Sequence, residues 1–258
     1  MLKFSLIVPI LVVLGALGIN GQINWCQMQA QYCSGREHIA CQPNSFPMGQ
    51  NVRNIQMVPM TPALIQAGID RHNFHRSNVA AGRVAGIPSA TAMQQMAWHS
   101  DLAFVAAEHA RHANFQHDQC RAFTEFPFSG QNLAIRWSSV AFTNFTGEFI
   151  SFIDMWYNEM PIVRDRMPSC INSFTTSNPN CLEAGHFTVM VNDVNRALGC
   201  ALVTFEQLMN NSWWFSVMGT CNYAGNNMIG QRIFATGTSC SACAGVGRQC
   251  DASTNLCV

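Results

Sequence analysis

The chain is poor in charge. Asp, Glu, Lys and Arg make up 11% of its 258 residues, against about 25% in an average soluble domain, and 14 basic side chains balance 14 acidic ones. There is no basic field to attract phosphate backbones or anionic lipid heads, which excludes nucleic acid as a partner. Beyond residue 21 no stretch approaches the roughly 18 uninterrupted apolar residues of a membrane span. Also missing are the Gly-x-Ser-x-Gly elbow of a serine nucleophile and the His-Glu-x-x-His pair of a zinc hydrolase. No internal repeat is present.

Cysteine, by contrast, is abundant. The chain opens MLKFSLIVPILVVLGALGING, with Lys3 ahead of an apolar run from Phe4 to Leu17 and small residues at Gly18 and Gly21. Residues 1–21 read as a signal peptide, the run being too short for a membrane span, and the expected product is soluble, secreted and extracellular. All 12 cysteines follow it, in an oxidising compartment where an even number predicts six disulfides and leaves no thiolate nucleophile. Residues 22–58 read as an irregular arm pinned by Cys26, Cys33 and Cys41, and residues 59–232 as the main domain, long enough for one good core. Residues 233–258 form a cysteine-rich tail. There Cys240, Cys243, Cys250 and Cys257 follow a C-x2-C-x6-C-x6-C spacing with too little apolar material for a core of their own. A disulfide-stapled, hinge-like cap is expected in preference to a zinc or redox site.

Helical patterns come first. Thr61 can cap a helix whose first position suits Pro62, and Ile65, Ile69 and His72 follow at helical spacing before Gly82. A second helix is expected over 100–112, with Leu102, Val105, Ala106 and His109 on one stripe and Trp98 packing back on its first turn. In a third, Phe149, Phe152, Ile153, Trp156 and Met160 share a face and Pro161 ends it. The last third changes period. In HFTVMVND, Phe187, Val189 and Val191 alternate with His186, Thr188, Met190 and Asn192, which predicts a strand opened by His186. LGCALVTFEQ and SWWFSVMGTCNYA predict a hairpin with Asn210 and Asn211 at its tip. Cys200 and Cys221 are equally far from that tip, so they face each other at a spacing suited to a disulfide. Helices followed by antiparallel strands predict an α+β architecture.

Five blocks, in order, resemble the CAP superfamily of cysteine-rich secretory, antigen-5 and pathogenesis-related proteins: HNFHR, FSGQNLA (128–134), MWYNEM (155–160), GHFTVMVND and GTCNYAGNNMIG. The resemblance runs from about Pro59 to Arg232, and NWCQMQAQYC...HIAC in the arm resembles the insect venom-allergen antigen-5 branch. It implies a three-layer α-β-α sandwich with a central antiparallel sheet. It also implies the pairs Cys26–Cys41 and Cys33–Cys120, which leaves Cys170 for Cys181 and two bonds of open connectivity in the tail.

CAP proteins gather two histidines and two acids in a central cleft, where some members hold a divalent metal. Matched by motif, His186 and His117 are the histidines and Glu159 is one acid. Gln131 stands where many relatives carry glutamate, and Asn192 where the signature usually has tryptophan, making that cleft wall smaller and more polar. An amide neither takes nor gives a proton near neutrality, so acid–base chemistry would rest on Glu159 alone. His117 and His186 are the candidate ligands for a weakly held zinc, and no cofactor is required. The pairs His72/His75 and His109/His112 are read as solvated helix faces. Asn144 and Asn210 open glycosylation sequons, and the 14 methionines are read as core filling.

These features favour a non-catalytic, monomeric protein that binds a small apolar or amine ligand, such as a lipid or sterol, or an extracellular protein. Two alternatives are a weak metal-dependent hydrolase using His117, His186 and Glu159, and a channel or receptor modulator acting through the tail.

Overall fold

In the computed structural model, which describes residues 23–258, the chain begins with helix α1 (Trp25–Tyr32), strand β1 (Val52–Val58), helix α2 (Pro62–Ala80), the short strand β2 (Ala97–Trp98) and helix α3 (Ser100–Ala110). Strand β3 (Gly130–Ser138) and helices α4 (Phe145–Tyr157), α5 (Met160–Arg166) and α6 (Gly185–Met190) come next. The hairpin β4 (Ala197–Met209) and β5 (Ser212–Tyr223) precedes a small tail ladder, β6 (Cys250–Asp251) and β7 (Leu256–Cys257). The leader expected at 1–21 lies outside the described residues.

The hairpin forms in the predicted register. Asn210 and Asn211 take φ of 48° and 60°, the left-handed pair that a tight hairpin turn of matching twist requires. Cys200 then falls opposite Cys221 and is bonded to it. β5 also pairs with β3 and β4 with β1, giving the order β1-β4-β5-β3, with β2 lying parallel to β4 at one end. Alternation sorts the hairpin's side chains into two layers. Cys200, Leu202, Val217 and Cys221 face the main core with α2 and α4, while Ala201, Val203, Phe205 and Met218 pack on Ala106 and Ala110 of α3. Gly199 allows that second layer to close, because a Cβ there would strike the backbone of Leu102 and Ala103. The three-layer α-β-α sandwich is therefore present.

α2 starts as expected, with Thr61 Oγ1 accepting from Leu64 N–H at 3.3 Å and Pro62 in its first turn. Four expected disulfides are present: Cys26–Cys41, Cys33–Cys120, Cys170–Cys181 and Cys200–Cys221. The tail adds Cys240–Cys250 and Cys243–Cys257, and Cys257 exchanges backbone hydrogen bonds with Met93 and Gln95. Leu256 is fully buried in the main core, so the tail is a fixed part of the domain rather than a hinged cap.

Several expectations fail for identifiable reasons. The arm is not irregular: Asn24 caps α1, and residues 52–58 form the β1 edge of the sheet. The third helix ends at Tyr157, and Pro161 opens α5 instead of stopping α4, since proline tolerates a first helical turn. His72, His75, His109 and His112 are all buried. His72 and His109 each spend both ring nitrogens, on Gly68 O and Tyr223 OH (2.8 and 2.9 Å), and on Thr220 Oγ1 and Gln116 O (2.9 and 2.7 Å). With every ring nitrogen of those two partnered inside the protein, burial costs them no lost hydrogen bond.

The largest correction concerns residues 186–190, which are helical (α6) rather than extended. Phe187, Thr188, Val189 and Met190 are buried whichever way they point, so apolar alternation carries no information about a face. Thr188 Oγ1 reaches back to Ala184 O at 2.9 Å. A helix this short needs outside partners for its free ends. At the start Glu159 accepts from the N–H groups of His186 and Phe187 (2.9 and 3.2 Å). Beyond its end, the buried Arg76 guanidinium donates to the carbonyls of Met190, Asn192 and Asn195 (2.6, 2.9 and 2.8 Å).

Candidate functional site

The beginnings of β3 and α6 meet the loop after α3 around a cavity of about 430 Å³. His117, Gln131, Glu159 and His186, four of the five residues expected in a cleft, line it together. Asn192 does not. It is 3% exposed and sits in the turn after α6, where its Oδ1 accepts from Val194 N–H at 3.1 Å, so it is no wall of the cleft.

The tertiary path explains each placement. The loop carrying His117 is tethered by the Cys33–Cys120 bond. β3 pairs with β5 from Gly130 opposite Tyr223, which sets Gln131 beside Asn222. Glu159 lies between α4 and α5, with its side chain turned to the start of α6, where His186 sits in the first turn. Trp156 of α4 stacks on the His186 ring at 6.4 Å and fixes itself by donating to Leu133 O at 2.9 Å.

Both imidazoles are oriented by their Nδ1. His186 Nδ1–H donates to Glu159 Oε1 at 2.6 Å and His117 Nδ1–H to Gln131 Oε1 at 2.8 Å. Nε2 of each ring has no partner among the described residues and is left for the cavity. Burial pulls the His117 imidazole below its ordinary value, although the bond to Gln131 opposes this, so the ring is neutral near pH 7. Glu159 is committed as well: one oxygen serves His186 Nδ1 and the other the two N–H groups of α6.

The surroundings of Gln131 require an amide. Its amide nitrogen donates to Asp118 Oδ2 at 2.7 Å and Asn222 Oδ1 at 3.1 Å, while its oxygen accepts from His117. A carboxylate there would set oxygen against oxygen twice. Asp118 is the residue that sequence reasoning missed: it is 5% exposed and paired through Oδ1 to Arg121 Nε at 3.1 Å. Burial alone would raise its carboxyl, but Arg121, His109 and the bond from Gln131 outweigh that and hold it below the usual carboxylate range. A carboxylate thus lies next to the cleft histidine, on the residue that follows His117 in HDQC. That adjacency was the available signal. Arg36, from the arm, and Asn227 also line the cavity. Asn227 donates to Gly185 O and Thr188 Oγ1 (3.0 and 2.8 Å) and leaves its Oδ1 without a partner.

A histidine whose Nδ1 is held by a carboxylate or amide oxygen has the outer-shell support of a metal ligand, and two such rings share this cavity. Among the described residues, however, no group of three or more His, Cys, Asp or Glu comes together as a metal centre. The residues fit a loose two-nitrogen site with water completing it, not a closed one. No helix among the described residues is long and apolar enough to cross a membrane.

A family model described as the cysteine-rich secretory protein family, CAP, matches residues 69–223. Venom allergen-1 of Aedes albopictus is 33% identical over 223 residues, covering 85% of this chain and 82% of that protein. Venom allergen 3 of Solenopsis invicta is 30% identical over 217 residues, covering 82% of this chain and 88% of that protein. Among solved structures, "Structure of BmVAL-1" superposes with a TM-score of 0.62 at 20% identity, covering 76% of this chain and 94% of that one. "Crystal structure of NaASP2 with Zn2+" superposes at 0.60 and 22% identity, covering 77% and 96%. These two share the fold. With the sandwich, the cleft and its disulfides in place, the chain belongs to the cysteine-rich secretory (CAP) family, in its insect antigen-5-like branch.

Proposed function

We propose that the protein is a secreted, non-catalytic binding protein whose cleft holds a small polar ligand, an amine being the best match. The observation that supports this is the division of labour around the two imidazoles. Glu159 has its oxygens occupied by three N–H donors, and Gln131 cannot exchange a proton, so neither of these two side chains offers the cavity a free base. What faces it are the unbonded Nε2 atoms of His117 and His186, with the Arg36 and Arg121 side chains also in the lining. Imidazole nitrogens fixed in this way suit holding a molecule that carries hydrogen-bond donors. Membership of a secretory family and the leader read at 1–21 support secretion, and the sequons at Asn144 and Asn210, both exposed, are the expected glycan sites.

Protein purified from a secretory host and examined by native mass spectrometry should carry a co-purified ligand or show a saturable thermal shift with amines. His186→Ala should abolish that shift. Absence of both across amines, sterols and fatty acids would remove the small-molecule role and leave an extracellular protein as the partner.

The second reading is a divalent cation held by His117 and His186, favoured by the shared orientation of their Nδ1 groups. A bound zinc would polarise a water there. A peptide and ester panel with and without zinc, run on wild type and His186→Ala, separates the two. Turnover that needs both metal and histidine would replace the binding proposal with a hydrolase.

A further inference from the structure

The sheet has a gap at its edge. β1 follows β4 only as far as Val58 opposite Leu202, and β2 takes over at Ala197 and Leu198, so no strand lies beside residues 199–201. Cys200 sits opposite Cys221 with a Cα–Cα distance of 4.1 Å, the narrow pair of an antiparallel ladder in which the two residues do not hydrogen-bond each other. Its N–H and C=O therefore point away from β5 and into the gap, as does the carbonyl of Leu198, which accepts from His99 N–H at 2.8 Å. Neither backbone group of Cys200 has a hydrogen-bond partner among the described residues. Such orphaned groups are uncommon in native interiors.

A cavity of about 430 Å³ opens on this point, within the usual size of small-molecule sites. Ile65 of α2 and Phe104 of α3 both line it, so it draws on both helix layers and lies in the plane of the sheet, where backbone groups point. Met57, Met60 and Trp98 complete a largely apolar wall, in which Ser100 is the one hydroxyl and no side chain is ionisable. Methionine adapts its shape to an irregular apolar guest. The cavity shares no lining residue with the His117/His186 cleft.

We infer that this gap is a second ligand site, taking a small apolar molecule with one neutral head that both donates and accepts a hydrogen bond, a hydroxyl or a primary amide. The head meets Cys200 C=O and N–H, and the hydrocarbon body lies between Met57, Met60, Trp98 and Phe104. The chemistry is set by exclusion. A carboxylate or ammonium would lose hydration with no counter-ion nearby, and a plain hydrocarbon would leave both backbone groups of Cys200 unpaired. The site stands or falls independently of the function proposed for the cleft.

The test titrates the secreted protein with decanol, decanamide, decanoate and decylamine, following tryptophan fluorescence. Hydrogen exchange at the Cys200 amide is followed in parallel. Decanol and decanamide should bind saturably and about tenfold or more tighter than the two charged analogues, and should slow exchange at Cys200. Ala107→Leu, which fills the groove from the outer side of α3, and Met57→Glu, which puts a charge on its rim, should each weaken decanol about tenfold or more. His186→Ala should leave decanol binding unchanged. Equal affinity for decanol and decanoate, or unchanged exchange at Cys200 when decanol is bound, overturns the inference. Should both groove variants fail to fold, the exchange measurement on wild type decides it alone.

Discussion

The histidines of the cleft and those of the core are the same side chain under opposite conditions. His72 and His109 have both nitrogens bonded inside the protein, whereas His117 and His186 bond one and present the other to a cavity. Both pairs are placed by neighbours distant in the chain, so it is the second nitrogen that separates a structural imidazole from an available one. In the core burial pushes the imidazoles of His72 and His109 down to about 4. Each ring is then an acid-sensitive component of the fold.

Acid should expose that difference most strongly. The unfolded chain titrates its histidines near 6.5 and the folded one holds His72 and His109 near 4. The unfolded state therefore binds more protons in that window. Stability is complete above pH 6.5 and lost as pH falls towards 4, by on the order of 3 kcal/mol for each histidine. Urea midpoints from pH 7 to 4.5 should fall steeply, and a flat profile would show that the core imidazoles are not held low by burial. Next in size, His72→Leu leaves the Gly68 carbonyl and the Tyr223 hydroxyl without their shared partner and should cost about 2–4 kcal/mol at pH 7. It should also make the acid profile shallower.

Gln131→Glu sharpens the cleft side. The new carboxylate would face Asp118 Oδ2 and Asn222 Oδ1, and a loss of about 1–3 kcal/mol at pH 7 is expected. Asp118→Asn in the same chain should recover about 1 kcal/mol or more of it in a double-mutant cycle. If Gln131→Glu is neutral, Asp118 is not what requires the amide. The smallest effect belongs to His186→Ala. Glu159 keeps both N–H donors from α6, and the denaturant midpoint should move by no more than about 1 kcal/mol in equivalent stability. A loss matching that of His72→Leu would show that the cleft ring is structural too.

The sequence signals that worked were local or symmetric. Thr61 and Pro62 start α2 by contacts within one turn, and the asparagine tip fixes the Cys200–Cys221 register over a short loop. The signals that misled were buried ones. His72 and His109 carry two conflicting signals, membership of an apolar stripe and a paired histidine spacing, and the stripe is the one that matches their burial. Asp118 went unnoticed because nothing near it in the chain shows that β3 and β5 will bring Gln131 and Asn222 against it. The motif points Asn192 to the cleft, yet with the preceding segment wound into a helix it lies outside the cavity lining.

The order of residues alone determined the helices α2, α3 and α4 and the hairpin with its disulfide, because periodicity, capping and turn chemistry act between near neighbours; the other three cysteine pairs outside the tail are implied only by the family resemblance. Only the tertiary structure decided that GHFTVM is helical and that its histidine faces a cavity. Both free ends of that helix are satisfied from elsewhere, by Glu159 at one and Arg76 at the other, and six residues cannot hold a helix without such partners.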